Sequence, residues 1–294
     1  MSIDKWLADN SSSIKGKTVA ITGSTGGLGR EICKFLASLG ANLCLLDRNE
    51  KTSEEHRSVL LAAYPDIIVT RIRVNLENMD DVRQAVKELS DAKVDIFIHN
   101  AGAYSIPRHK CSTGFDNVYQ INFVSPYYMI RELMPVLSKN HGRVIVVGSI
   151  AHNYSVIDKD DIDFSTTSAA SKVYGNAKRY LMFSLYELFK DESCVKLSVT
   201  HPGITLTNIT AHYPKLIYAI IKHPMKIIFM SPRRAALCIV KGVFDDCSYC
   251  EWIGPRVFNV WGLPEKKKLR TCKAKEIKEI AKIAETVYSG LKND

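Results

Sequence analysis

Tyr174 and Lys178 stand four residues apart in Tyr-Gly-Asn-Ala-Lys, inside a segment with helical apolar spacing. An i, i+4 pair lies on one helix face, about one turn apart. A phenol ordinarily titrates near ~10 and exchanges protons poorly at neutral pH, unless a nearby cation favours the phenolate. The pair can therefore do general acid–base work on an oxygen, although most such pairs sit on helix surfaces. A second cluster is Thr22-Gly23-Ser24-Thr25-Gly26-Gly27-Leu28-Gly29. Glycines where a strand turns into a helix let the backbone approach a pyrophosphate, and the helix N-terminus offers free N–H groups and a positive dipole end. A tight turn also favours Gly, so it is the placement between first strand and first helix that points to a nucleotide. Asp47 ends the next apolar run and is followed by Arg48. An acid there can accept both adenosine ribose hydroxyls, whereas a guanidinium can pair with a 2′-phosphate. Asp47-Arg48-Asn49 can equally be a polar loop capping the next helix, so these two residues leave NAD and NADP both open.

The elements that must position these groups follow from apolar periodicity. Near-continuous apolar runs predict strands at Thr18–Thr22, Asn42–Leu46, Ile67–Val74, Val94–Asn100, Arg143–Gly148 and Lys196–His201. Amphipathic segments between them predict helices at Gly29–Leu39, Ser53–Tyr64, Met79–Leu89, Phe115–Ser138 and Lys172–Phe189. Strand, helix, strand at this spacing means a doubly wound parallel α/β sheet of the Rossmann type, with helices on both faces. No composition shift divides the chain, which reads as one domain over 1–294. An N-terminal extension (1–15) precedes it. After Pro202 comes a less regular appendage, with a substrate-covering stretch at about 206–230 and a basic C-terminal helix at about 273–291.

The 294 residues are 46% hydrophobic and 24% charged, which excludes disordered, collagen-like and coiled-coil classes. A domain of this size buries roughly 75% of its unfolded surface, enough for a core without disulfides or metal. The eight cysteines are scattered, several in apolar runs, as reduced thiols are; a lone Cys247-Ser-Tyr-Cys250 lacks two further ligands, so no metal is expected. The N-terminus lacks a signal-peptide pattern, and the apolar stretch Leu216–Ile221 is interrupted by Lys222, His223 and Lys226. A cytoplasmic location is expected. The net charge of +9 gathers at the end of the chain: from Lys215 to Asp294 there are sixteen Lys and Arg against eight Asp and Glu. The surplus could serve an anionic membrane surface, but a solvated helix face explains it more simply. No aromatic or Arg-rich motif accompanies it, so nucleic acid is not an expected partner.

Six features in chain order resemble the short-chain dehydrogenase/reductase family, from about Gly16 to Pro264. They are the Thr22…Gly23…Gly27…Gly29 turn, His99-Asn100-Ala101-Gly102 after the fourth strand, Asn122 in Tyr-Gln-Ile-Asn-Phe, Ser149 ending Val-Ile-Val-Val-Gly-Ser, Tyr174 with Lys178, and Pro202-Gly203-Ile-Thr-Leu-Thr207. The Ser149-to-Tyr174 gap and Ala151-His152 resemble its retinol-dehydrogenase-like branch in particular. The resemblance implies a sheet ordered 3-2-1-4-5-6-7, with the cofactor across the strands' carboxyl ends. It implies catalytic roles for Asn122, Ser149, Tyr174 and Lys178. Tyr174 serves as general acid and base, Lys178 holds the nicotinamide ribose and keeps the phenol acidic, Ser149 polarises the substrate oxygen, and Asn122 holds a relay water. Cofactor contacts are implied for Thr22, Gly23, Ser24, Thr25, Gly27, Leu28, Gly29, Asp47, Arg48, Asn75, Leu76, Asn100, Ala101, Gly102, Pro202, Gly203 and Thr207, besides Tyr174 and Lys178. Since Asp47 occupies the position of NAD-using members, NAD is expected ahead of NADP.

Three positions depart from the family pattern: Asn75-Leu76 stands for Asp-Leu, His99 replaces the first Asn of Asn-Asn-Ala-Gly, and Asp47-Arg48 mixes two cofactor signatures. The expected reaction is hydride transfer between nicotinamide and a carbonyl or alcohol carbon of a small molecule. The apolar Leu216-Ile-Tyr-Ala-Ile-Ile and Ile227-Ile-Phe-Met suit a hydrophobic substrate, or else simply pack on the sheet. Two rivals share the fold. A non-catalytic dinucleotide sensor usually lacks the Tyr or Lys kept here, and a nucleotide-sugar epimerase usually carries a larger C-terminal domain. The resemblance also implies a homodimer or homotetramer built on the long helices after the fourth and fifth strands, which a basic C-terminal region could block.

Overall fold

A computed structural model of the chain describes residues 1–205 and 230–293. Its sheet has eight strands: β1 (Thr18–Thr22), β2 (Asn42–Asp47), β3 (Val69–Arg73), β4 (Ile96–His99), β5 (Arg143–Val147), β6 (Lys196–Thr200), β7 (Glu251–Val257) and β8 (Trp261–Lys268). They lie in the order 3-2-1-4-5-6-7-8. The first seven are parallel and β8 runs antiparallel beside β7. The strand order through β7 is the one the resemblance implies. The eighth strand was not legible, because Trp261–Lys268 alternates too little and carries three lysines. The stretch after Pro202 is thus more regular than expected, with a hairpin and two further helices among its described residues.

One face of the sheet carries α2 (Gly27–Ser38), α3 (Glu50–Ala63) and α7 (Pro232–Phe244); the other carries α4 (Met79–Asp91), α5 (Ser125–Lys139) and α6 (Ala170–Leu188). Among the described residues, two large buried clusters divided by the sheet form most of the core, as a doubly wound fold requires. Side chains fix where helices begin: Asn49 Oδ1 accepts from Thr52 N at 3.0 Å, and Asn78 Oδ1 accepts from Asp80 N at 2.8 Å. The N-terminal extension is not loose. Its helix α1 (Ile3–Asn10) buries Trp6 in the cluster beneath α2 and α7. The last helix, α8 (Ala274–Asn293), lays Ile277, Ile280, Ala284 and Leu291 on the core beside α5 and α6.

This topology sets β1 and β4 side by side, with their carboxyl ends opening toward the same rim. Crossovers leave in opposite directions from these two strands, so a crevice forms between the loops that follow them.

Candidate active site

The loop after β1 builds one wall of the crevice. Gly23 has φ of +68°, and the turn then enters α2 with Gly26 as a cap residue that supplies no side-chain hydrogen bond. The first-turn N–H groups of α2 are therefore free of a side-chain cap, as an anion-binding helix end requires. Gly29 lets the helix lie against the loop: a Cβ there would stand 2.2 Å from Gly23 O and 2.9 Å from Ser24 Cα. Among the described residues, a Cβ on Gly27 would meet only Pro232 Cγ, at 3.9 Å. These features fit a dinucleotide pyrophosphate. Gly29→Ala should displace the loop and weaken NAD(P)H binding at least about tenfold without unfolding the sheet, as read by calorimetric titration and circular dichroism.

Two predicted cofactor residues hold the walls together. Thr22 Oγ1 accepts from Asn100 N at 3.1 Å and Ala101 N at 3.0 Å. Asn100 Nδ2 donates to Thr22 O at 3.1 Å and Gly23 O at 3.0 Å, and Ala101 packs against Gly23. With both its acceptor sites used, Thr22 directs its own hydrogen to His99 Nδ1, 3.1 Å away. His99 is fully buried and neutral, its pKa held well below the usual value by burial and by the Lys178 charge.

Asp47 lies beneath the glycine loop. Its carboxylate is buried and already accepts four hydrogen bonds, from Ser24 Oγ (2.5 Å), Thr25 N and Oγ1 (both 3.1 Å) and Ser53 Oγ (2.9 Å). A carboxylate offers about four lone-pair sites, and all four are occupied within the loop. Asp47 and fully buried Ser24 brace the glycine loop from below, and Arg48 is exposed at the rim. Asn75 is likewise engaged locally: its N donates to Asp81 at 3.0 Å and its Oδ1 accepts from Glu77 N at 3.3 Å. Leu76 and Leu28 pack into the two core clusters.

The reactive groups converge on the opposite wall. Asn122 sits in a π-helical turn, Gln120–Val124, that leads into α5. Its Nδ2 donates to Ala103 O at 2.9 Å and Val118 O at 2.8 Å, which aims Oδ1 at Gly102. A Cβ on Gly102 would stand 2.9 Å from that oxygen and 3.6 Å from Lys178 Nζ, so both groups face one spot. Lys178 is buried, donates to Val147 O at 2.9 Å, and its Nζ lies 5.6 Å from the Tyr174 ring centroid. Burial lowers its pKa to about 7. Ser149 follows β5; its Oγ accepts from Ala151 N at 3.2 Å and is a hydrogen-bonding neighbour of the Tyr174 phenol. Burial raises the phenol's pKa to about 12, the Ser149 bond lowers it and Tyr104 adds to the rise.

Gly203 follows Pro202 with φ of +78°, packed under Val260 O of the β7–β8 hairpin. Thr207 and nearly all of the 206–230 stretch lie outside the described residues. Sequence reasoning missed Tyr104, whose ring stands edge-on to Tyr174 at a centroid distance of 5.4 Å. The signal was available: Tyr104 is two residues past Gly102, where the loop leaving β4 must cross the site.

The family model described as short chain dehydrogenase matches residues 17–215. The chain belongs to the short-chain dehydrogenase family. It is accordingly an oxidoreductase acting on CH–OH and C=O groups with a nicotinamide cofactor. Human retinol dehydrogenase 14 is 27% identical over 266 residues, covering 79% of each chain. The mouse protein of that name is 29% identical over 214 residues, covering 67% of this chain and 64% of its own. The matched stretch is about two thirds of that relative's length. These relatives place the dehydrogenase beside the retinol-dehydrogenase-like branch. A crystal structure of an uncharacterized protein from Mycobacterium paratuberculosis shares the fold over 96% of this chain and 97% of its own, with TM-score 0.73 and 21% identity. The Pseudomonas aeruginosa RhlG/NADP complex shares it over 79% and 91%, with TM-score 0.61 and 22% identity.

Proposed function

We propose that this dehydrogenase reduces the carbonyl of an apolar small molecule, with Tyr174 as general acid and Ser149 as the donor that polarises the carbonyl oxygen. The observation that carries this reading is the convergence of Tyr174, Lys178, Ser149 and Asn122 on the rim beside the uncapped glycine turn. When bound, the nicotinamide cofactor supplies the hydride. The chain's own residues handle the oxygen and its proton. Ser149 Oγ–H and the Tyr174 phenol donate to the oxygen, and the phenol gives up its proton as negative charge gathers there. Lys178 stabilises the resulting phenolate, and Asn122 Oδ1 beside Nζ holds a water that can return the proton. A phenol raised to about 12 is fully protonated at neutral pH, which favours reduction; oxidation needs the phenolate and a higher pH. Reduction of decanal and retinaldehyde should therefore weaken above about pH 7, as Lys178 loses its proton, while oxidation of the alcohols climbs with pH. Oxidation that outruns reduction at pH 6 would overturn the assigned direction. The sequence stretches Leu216–Ile221 and Ile227–Met230 support an apolar substrate, as do the relatives named retinol and polyprenol dehydrogenases.

Cofactor choice follows the loop geometry. The Asp47 carboxylate is committed to Ser24, Thr25 and Ser53, so the proposal is that Arg48 reads the 2′-phosphate and NADP binds ahead of NAD. Arg48→Ala should then weaken NADPH by roughly tenfold or more and leave NADH nearly unchanged. Asp47→Ala should weaken both, because it unties the shared loop. Calorimetric titration with each cofactor separates the cases, and Asp47→Ala that selectively improves NADPH would restore Asp47 as selector.

The third proposal is a monomer. Helix α8 lies along α5 and α6, the helices on which the resemblance places assembly. Arg131 pairs with Glu285 and stands 4.2 Å over the Tyr288 ring, and Lys292 pairs with Glu132 at 3.3 Å. Light scattering during size exclusion should give about 33 kDa, the mass of one chain. A dimer mass would show that assembly uses another face.

A further inference from the structure

Beyond the reacting groups, one buried polar network ties them to a part of the chain outside the family match. Ser149 is followed by a single 3-10 turn, Ile150–Tyr154, whose third residue, His152, is completely buried. His152 Nδ1 lies 2.6 Å from Ser149 O and Nε2 lies 2.7 Å from Thr271 Oγ1. A carbonyl only accepts, so Nδ1 carries the proton and Nε2 accepts from the threonine hydroxyl. The ring is held edge-on between Phe183 and Trp252, each 5.7 Å away. Burial and the Arg179 charge keep it neutral, with a pKa lowered to about 4 despite the Ser149 bond. Its protonation state is therefore constant across the working range.

Arg179 closes the network. It follows Lys178 on α6, is 3% exposed, and donates to His152 O at 3.1 Å and Thr271 O at 3.0 Å. Its Nε bonds Glu276 Oε1 at 2.7 Å in the first turn of α8. The Ser149 turn also touches α6 directly. A Cβ on Gly175, next to Tyr174, would stand 2.2 Å from Ala151 O. The serine turn, the Tyr174–Lys178 helix and the C-terminal segment thus meet at one fixed point. Neutral polar groups buried at such a junction are costly unless all are satisfied, and here each has its partner.

We propose that His152, bridged to Thr271 and flanked by Arg179, is a positioning residue through which the C-terminal segment sets the Ser149 hydroxyl against Tyr174. The inference rests on the reading of Ser149 and Tyr174 given above. Thr271 is the informative site, because it lies at an exposed turn where a change leaves the core intact. Thr271→Val removes the hydroxyl and keeps the shape; Thr271→Ser keeps the hydroxyl. Either retains the backbone carbonyl that Arg179 uses.

The test compares wild type, Thr271→Val, Thr271→Ser and Tyr174→Phe on decanal and retinaldehyde with NADPH. Cofactor affinity is measured separately by titration, and Tm by thermal unfolding. Thr271→Val should lose roughly tenfold in kcat, with NADPH affinity close to wild type and a Tm only a few degrees lower, because His152 Nε2 loses its donor while the cofactor site is untouched. Thr271→Ser should recover wild-type kcat. A Thr271→Val enzyme with unchanged kcat, beside an inactive Tyr174→Phe, would overturn the positioning role and leave the site reading intact. So would a kcat loss that tracks a fall in Tm and cofactor affinity, or one shared by the Ser variant. Tyr174→Phe with wild-type turnover, or a wild type inactive on every aldehyde tested, would overturn the site reading and this inference with it.

Discussion

Tyr174→Phe should lower carbonyl reduction by at least about 100-fold, the lower range for losing general acid–base catalysis. The ring packs edge-on to Tyr104, a contact that Phe keeps. Only the hydroxyl that faces Ser149 is lost. NADPH affinity should stay within about twofold, because the glycine turn and the free N–H groups of α2 carry most of that binding. The measurement is initial-rate kinetics on decanal, with the dissociation constant from titration. Turnover near wild type in the Phe variant would remove Tyr174 from the mechanism.

Lys178→Met should affect both binding and turnover, and it should change how stability depends on pH. The ammonium is buried, and its folded pKa is lowered from 10.5 to about 7. Between those values the unfolded chain binds the extra proton, so stability gained by the native state rises with pH across about 7 to 10.5. Below that window the buried charge costs its full amount. Methionine has no proton to lose, so the variant gains relative to wild type at pH 6 and loses that advantage near pH 10. It leaves Val147 O without the 2.9 Å bond from Nζ, a cost that does not vary with pH. Reduction should fall by at least about 100-fold at pH 6, where the ammonium is charged, and by less as the pH rises past about 7. Thermal unfolding of both proteins at pH 6 and pH 9.5 reads the first effect. A difference in Tm that is the same at both would show that Lys178 titrates normally in the folded chain.

Much of this architecture is legible in the residues themselves, for physical reasons. Strands β1, β2, β4, β5 and β6 are covered on both faces, so each writes a continuous apolar run that periodicity cannot miss. β8 has solvent along one edge and three lysines, so it writes no such run. The site shows the same division. Gly29 and Gly102 are readable because close approach leaves no room for a Cβ. The role of Asp47 was not readable, because only the fold shows that Ser24, Thr25 and Ser53 reach its carboxylate first. The surroundings of Tyr174 are likewise beyond what spacing gives. A phenol and an ammonium four residues apart share a face, and only the fold adds that Lys178 donates to Val147 O and that burial and Ser149 act on the phenol. The His152–Thr271 bridge spans 119 residues, a separation no local pattern encodes.

The most direct test of the central claim is the fate of deuterium from NADPH labelled at C4 of the nicotinamide. Purified enzyme is given decanal and each C4-deuterated stereoisomer of the cofactor, and the product is read by mass spectrometry. A reductase working through this site should yield decanol with one deuterium from one stereoisomer and none from the other, with cofactor consumed in equal amount. Cofactor that binds to the glycine turn but is neither consumed nor stripped of its label, across decanal and retinaldehyde alike, would contradict the account and leave a dinucleotide-binding protein without this chemistry.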